Sequence, residues 1–154
     1  MITVTLPFIT KNPLNGAQGR SWTATMEASR RRKVQRQGTH IALMRPAEPA
    51  RQWLKAGGKL EVTLTRASPG ELDSHDGLRA ALKSVADGVT DALGLTNDRD
   101  ERLVFVYAQL KSKRYGVRVS LRPFGDSKWG SASDATAAIE ALDKMHPPKP
   151  PGAA

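Results

Sequence analysis

Residues 59–66, KLEVTLTR, alternate without a break. Leu60, Val62 and Leu64 face one way and the polar side chains between them face the other. Side chains on a strand point to opposite faces in turn, so this stretch reads as a half-buried strand. Residues 67–77, ASPGELDSHDG, are rich in turn formers and read as a loop. The period then changes. From Leu78 to Leu93, the residues Leu78, Ala81, Leu82, Val85, Val89, Ala92 and Leu93 share one helical face. Asp76 or Ser74 is placed to cap this helix, and Gly94 to end it. After the charged loop LTNDRDER, residues 95–102, two more strands read at 103–111 and 115–122, and the short SKR link between them predicts a hairpin.

The flanks add to this frame. Ile2, Val4 and Leu6 alternate with threonines, predicting a strand that Pro7 ends, and TKNPLNGAQG, residues 10–19, reads as a loop. Residues 22–43 carry a helical pattern, interrupted in character at Gly38 and Thr39, and Pro46 and Pro49 close that region. A last helix is predicted over 134–144, followed by a disordered proline-rich tail, 145–154. The order β-α-β-α-β-β-α predicts an α+β two-layer fold, a mixed β-sheet with helices packed mainly on one face. The expected organisation is one domain over 1–125, a short helical extension over 126–144, and the tail.

With 154 residues and 39% hydrophobic content, the chain has enough apolar surface for one core. No apolar run approaches the ~18 residues of a membrane span, and MITVTLPFIT does not have the pattern of a signal peptide. The chain has no cysteine, which excludes disulfides and thiolate metal sites and fits a cytoplasmic protein. A formal charge of +9 points to a polyanionic partner. Arg30, Arg31, Arg32, Lys33 and Arg36 form the densest basic block; at about 100° per residue it surrounds much of a helix.

Ser74, His75 and Asp76 spell the letters of a nucleophilic triad, but neighbours on an extended chain point apart while triad members must converge. The aspartates are better placed for metal chemistry. Asp73 and Asp76 stand before the 78–93 helix, and Asp98 and Asp100 stand after it. A helix of that length spans about 24 Å, so the two groups meet only if the 95–102 loop doubles back or a second subunit contributes. Carboxylates clustered around one phosphate suit Mg²⁺-assisted phosphodiester hydrolysis. The alternative is that they are capping and turn residues. Lys83 and Asp87 are four apart on the helix, spaced either for a routine ion pair or to present Lys83 to phosphate.

LDSHDGLRAALKSVADGVTDALGLTNDRD, residues 72–100, resembles the central motif of the RusA family of Holliday junction resolvases, especially its phage and prophage members. TLPFITKNPLNGAQG is similar to the family's opening strand and loop, and RLVFVYAQLKSKRYGVRVSL to its closing hairpin, so the likeness covers roughly residues 2–122. The resemblance implies a homodimeric, phage- or prophage-encoded endonuclease that cuts four-way DNA junctions in recombination and repair with Mg²⁺ or Mn²⁺. The family's Asp-x-Asp-Asn-Leu falls on Ser74-His75-Asp76-Gly77-Leu78, and its later Asp pair on Asn97-Asp98. On this resemblance Asp76 and Asp98 would be the retained metal ligands, Asp73 would stand in for the carboxylate lost at Ser74, and Lys83 would be the lysine that contacts phosphate. The basic block from Arg30 to Arg36 is expected to track DNA. A serine hydroxyl brings no charge to a cation, so the resemblance leaves two readings open, a crossover-junction endodeoxyribonuclease or a protein of this family that binds branched DNA without cutting it; the third is an unrelated basic interaction protein.

Overall fold

Nine consecutive residues of one strand, Leu60–Ser68, are all buried, and the rest of the chain is arranged around that strand. The computed structural model describes residues 1–11, 22–72 and 77–125. In chain order its elements are β1 (Ile2–Leu6), α1 (Trp22–Leu43), α2 (Glu48–Lys55), β2 (Leu60–Ser68), α3 (Gly77–Ala92), β3 (Leu103–Lys111) and β4 (Gly116–Pro123). The expected segments 126–144 and 145–154, together with residues 12–21 and 73–76, lie outside the described residues.

The four strands form one mixed sheet in the order β1-β4-β2-β3. β2 pairs parallel with β3 and antiparallel with β4, and β4 pairs antiparallel with β1. The expected hairpin between residues 103–111 and 115–122 is therefore not formed: β4 lies on the far side of β2 from β3. Geometry permits the short link, because crossing two strand spacings takes about 10 Å and four extended residues reach about 13 Å. Ser112 N–H donates to Ser68 O at 2.9 Å, holding the start of that link on the end of β2. The reason for the order is burial: β2 carries buried side chains on both faces and takes a central place, leaving β1 and the half-buried β3 as edges.

Register sets which side chains share a face. Val62 lies between Leu121 and Phe105, and Leu64 between Val119 and Tyr107, with Ile2 and Val4 beyond β4. This face packs in one cluster with Leu43 of α1, Leu54 of α2 and Leu78, Leu82, Val85 and Val89 of α3. The two-layer α+β arrangement follows. On the opposite face, Arg122 donates to both carboxylate oxygens of Glu61, at 2.9 and 3.2 Å, and both side chains are nearly buried.

α2 was not anticipated from the prolines at 46 and 49. Pro49 sits in its first turn, where a missing N–H costs nothing, and Ala50 and Leu54 turn inward. Arg51 fastens this helix by donating to Ala92 O at 2.8 Å and Met44 O at 2.6 Å, carbonyls at the ends of α3 and α1. α1 runs through Gly38 and Thr39 unbroken and buries only Gln35, Thr39 and Leu43. It lies close against α3 at Gly88, where an added Cβ would stand 2.5 Å from Arg36 O and 2.7 Å from Thr39 Cβ. Among the described residues no helix is long and apolar enough to cross a membrane.

Candidate functional site

α3 carries a polar ridge one turn apart: Arg79, Lys83 and Asp87. Lys83 Nζ donates to Asp87 Oδ1 at 2.6 Å and to Asp98 Oδ2 at 2.8 Å. The second bond answers a question the sequence left open. The chain after α3 doubles back along the helix, so Asp98 meets a side chain from its first half. Local chemistry accounts for the reversal. Gly94, at φ +73°, ends the helix in the left-handed region, and Leu95 N–H closes onto Thr90 O at 3.1 Å. The Asn97 side-chain oxygen then accepts from Arg99 N–H at 2.9 Å, and Asp100 Oδ1 from Arg102 N–H at 3.0 Å. These are two successive turns of the kind short polar side chains make.

The electrostatics follow from these contacts. Burial pulls the Lys83 pKa down, but the hydrogen bonds from Lys83 to Asp87 and Asp98 outweigh it, and the net shift is upward. The hydrogen bond from Lys83 holds the Asp98 carboxyl below the usual carboxylate range, against a smaller effect of burial. Asp100 is held down to about 2, chiefly by the Arg102 guanidinium. Beside the ridge, the Arg79 guanidinium carbon lies 5.3 Å from the Tyr107 ring centroid, and Tyr107 is stacked with Phe105 at 6.2 Å. Burial pushes the Tyr107 hydroxyl pKa up, with Arg79 opposing. Arg79 and Tyr107 were not foreseen; the signal available was a large aromatic at a core-facing position of an edge strand.

Asp98 and Lys83 are thus brought together. Asp73 and Asp76, the other expected metal ligands, lie outside the described residues, as do Ser74 and His75. Among the described residues no group of three or more His, Asp or Glu side chains is set to hold a metal ion. Asp87 and Asp98 both face the Lys83 ammonium, so a Mg²⁺ donor set built on Asp98 needs the carboxylates of residues 73–76 as well.

The basic block divides. Arg30, Arg32 and Lys33 are exposed, and Arg31 is half-buried. Arg36 is committed to Asp91 of α3 through two bonds, at 2.6 and 2.9 Å. The hydrogen bond to Asp91 raises the Arg36 pKa, and the same contact lowers that of Asp91. Arg31 and Arg32 reach a cavity of about 420 Å³ between the first halves of α1 and α3, whose walls also include Arg66, Leu72 and Tyr115.

No protein-family model matches this chain, and no curated protein matches it.

Proposed function

We propose that this chain is a metal-dependent endodeoxyribonuclease of the RusA type, acting as a homodimer on four-way or otherwise branched DNA. The observation that carries the reading is the return of Asp98 to Lys83, across fifteen residues of sequence, on the helix that begins directly after Asp76. It puts Asp98 against the first half of the helix that Asp76 precedes in sequence. Asp76 and Asp98, joined by Asp73, would hold Mg²⁺ or Mn²⁺, which would supply a polarised phosphoryl oxygen and an activated water. Lys83 holds Asp98 ionised and, once a metal takes that carboxylate, has an ammonium to offer phosphate. Arg30, Arg32 and Lys33 present solvent-facing charge for the backbone of a DNA arm. Two-fold symmetry matches the near two-fold symmetry of a junction.

The second reading, binding without cutting, is favoured by Ser74 and Gly77 in place of the family's aspartate and asparagine, and by the Lys83 ammonium already paired with both carboxylates it touches. One experiment separates the two: a labelled synthetic four-way junction, incubated at low salt with and without Mg²⁺ or Mn²⁺. Paired symmetrical nicks that disappear in Asp76→Asn and Asp98→Asn establish the nuclease. Tight binding without cutting, with activity restored by Ser74→Asp together with Gly77→Asn, establishes the binding protein. Absence of salt-sensitive DNA binding overturns both.

A further inference from the structure

Arg66 occupies a core-facing position of β2, in register with Val117 of β4 and Gln109 of β3. It is only 5% exposed. Its guanidinium donates to Thr10 O at 3.2 and 3.3 Å, to Thr10 Oγ1 at 3.0 Å and to Gly70 O at 2.8 Å. All of these acceptors are neutral. Burial draws its pKa down, and among the described residues no carboxylate answers it. A buried charge is ordinarily paired. Arg66 lines the cavity between α1 and α3, along with Lys11, Arg31 and Arg32, and the one carboxylate in the described lining is that of Glu27.

The remaining walls have a different character. Small side chains on the facing helices, Ala24 and Ala28 of α1 and Ala80 and Ala81 of α3, leave the space open, and Leu72 and Tyr115 border it. Thr39 and Thr90 spend their hydroxyls on the carbonyl one turn back, at 2.7 and 2.9 Å, whereas Ser84 lines the cavity. At about 420 Å³ the space falls within the ~300–1,000 Å³ of small-molecule sites. Basic side chains, small alanine walls and an exposed tyrosine around one space are the chemistry that a nucleotide site uses.

We propose that this cavity takes one unpaired nucleotide of a DNA strand, its phosphate against Arg66, Arg31, Arg32 and Lys11 and its base in the alanine-walled interior near Tyr115. The inference rests on the nucleic-acid reading above but not on cutting. Lys83 and Ser84 are consecutive on α3 and point about 100° apart, so the cavity and the Lys83–Asp98 cluster lie on adjacent sides of the same helix. A strand whose end or branch-point nucleotide is held in the cavity would run past the cluster.

The test uses the full chain and fluorescein-labelled dT12, with the matching duplex as reference, at fixed moderate salt. The strand should bind at least tenfold more tightly than the duplex, since stacking of one base is worth roughly that factor. Free thymidine 5′-monophosphate should displace it at concentrations where inorganic phosphate does not. Ala28→Trp, which fills the cavity without changing charge, should abolish the strand preference while its thermal melt stays cooperative. Equal competition by phosphate and the nucleotide would overturn the base pocket and leave an anion site. Equal strand and duplex affinity in the unmodified protein would overturn the inference without any variant. Strand preference that depends on Ala28, in a protein that cuts no junction, would keep the cavity and remove the nuclease. Junction cutting with no strand preference would do the reverse.

Discussion

Replacing Gly88 with alanine tests the packing that positions every residue discussed above. In an exposed helix interior the change is favourable by about 0.8–1 kcal/mol, because alanine has less backbone entropy to lose. Here the new Cβ would meet Arg36 O at 2.5 Å and Thr39 Cβ at 2.7 Å. Restoring an ordinary contact of 3.4 Å to Arg36 O requires α1 to move away by about 0.9 Å. The carbonyl is backbone, so it cannot yield by rotating a side chain. Overpacking of this kind typically costs about 1–3 kcal/mol, and contacts with two atoms at once put this site in the upper part of that range. The net expectation is a loss of about 1–2 kcal/mol, or about 3–6 °C in melting temperature for a chain of this size. Urea and thermal denaturation measure it, with Gly70→Ala as control, because a Cβ there meets nothing within 4 Å. Stabilisation of Gly88→Ala by about 1 kcal/mol would refute the close α1–α3 approach. The same displacement should change the cavity between the two helices, so dT12 affinity should change along with stability.

Other expectations follow from single contacts. Arg122→Met strands the nearly buried Glu61 carboxylate and should destabilise the chain by about 3–5 kcal/mol; denaturation midpoints of this variant and of Arg122→Met with Glu61→Leu should show the double variant recovering most of the loss. Asp98 and Asp100 are both held below the ordinary aspartate value, so their contribution to stability is present above about pH 4. It is lost as pH falls through the folded values, about 2 for Asp100, and Asp100→Asn should flatten the urea midpoint across that window. Lys83 has the opposite sign: its raised pKa adds stability that is complete below the ordinary lysine value and fades as pH rises through the folded one. Lys83→Met should therefore release Asp98 toward an ordinary carboxylate pKa, which carboxyl NMR titration reads directly. Arg51→Met removes bonds to Ala92 O and Met44 O and should lower the melting temperature by several degrees with no effect on dT12 binding.

Local pattern was enough to read much of this protein. Strict alternation over 59–66 and the apolar face from Leu78 to Leu93 identified β2 and α3 to within a residue or two, because each pattern has one period; the expected half-burial of β2 was not met, since its polar face is buried too. The α+β class followed from the order of the elements. α1 was weaker in pattern, since its buried stripe includes Gln35 and Thr39 while Val34 and Ile41 stay exposed. The pairing of β4 was not legible. Two strands joined by a short link make a hairpin by default, and only the demand of β2 for neighbours on both edges separates them. The two carboxylate regions flanking α3 were equally ambiguous in sequence: whether Asp98 ran on or returned to Lys83 depended on Gly94 ending the helix in the left-handed region and on the turn that follows at Asn97.

The cavity marks the same boundary. A lone arginine at a core-facing position of β2 and a basic block on α1 are visible as letters, but nothing in their spacing, thirty residues or more apart, brings them to one volume. What the sequence determined by itself is local: periods, caps, turns and net charge, all set by residues within a few positions of one another. What only the tertiary structure decided is which of those pieces share a wall. That depends on packing free energy summed over the whole sheet and three helices, and no short stretch of chain contains it.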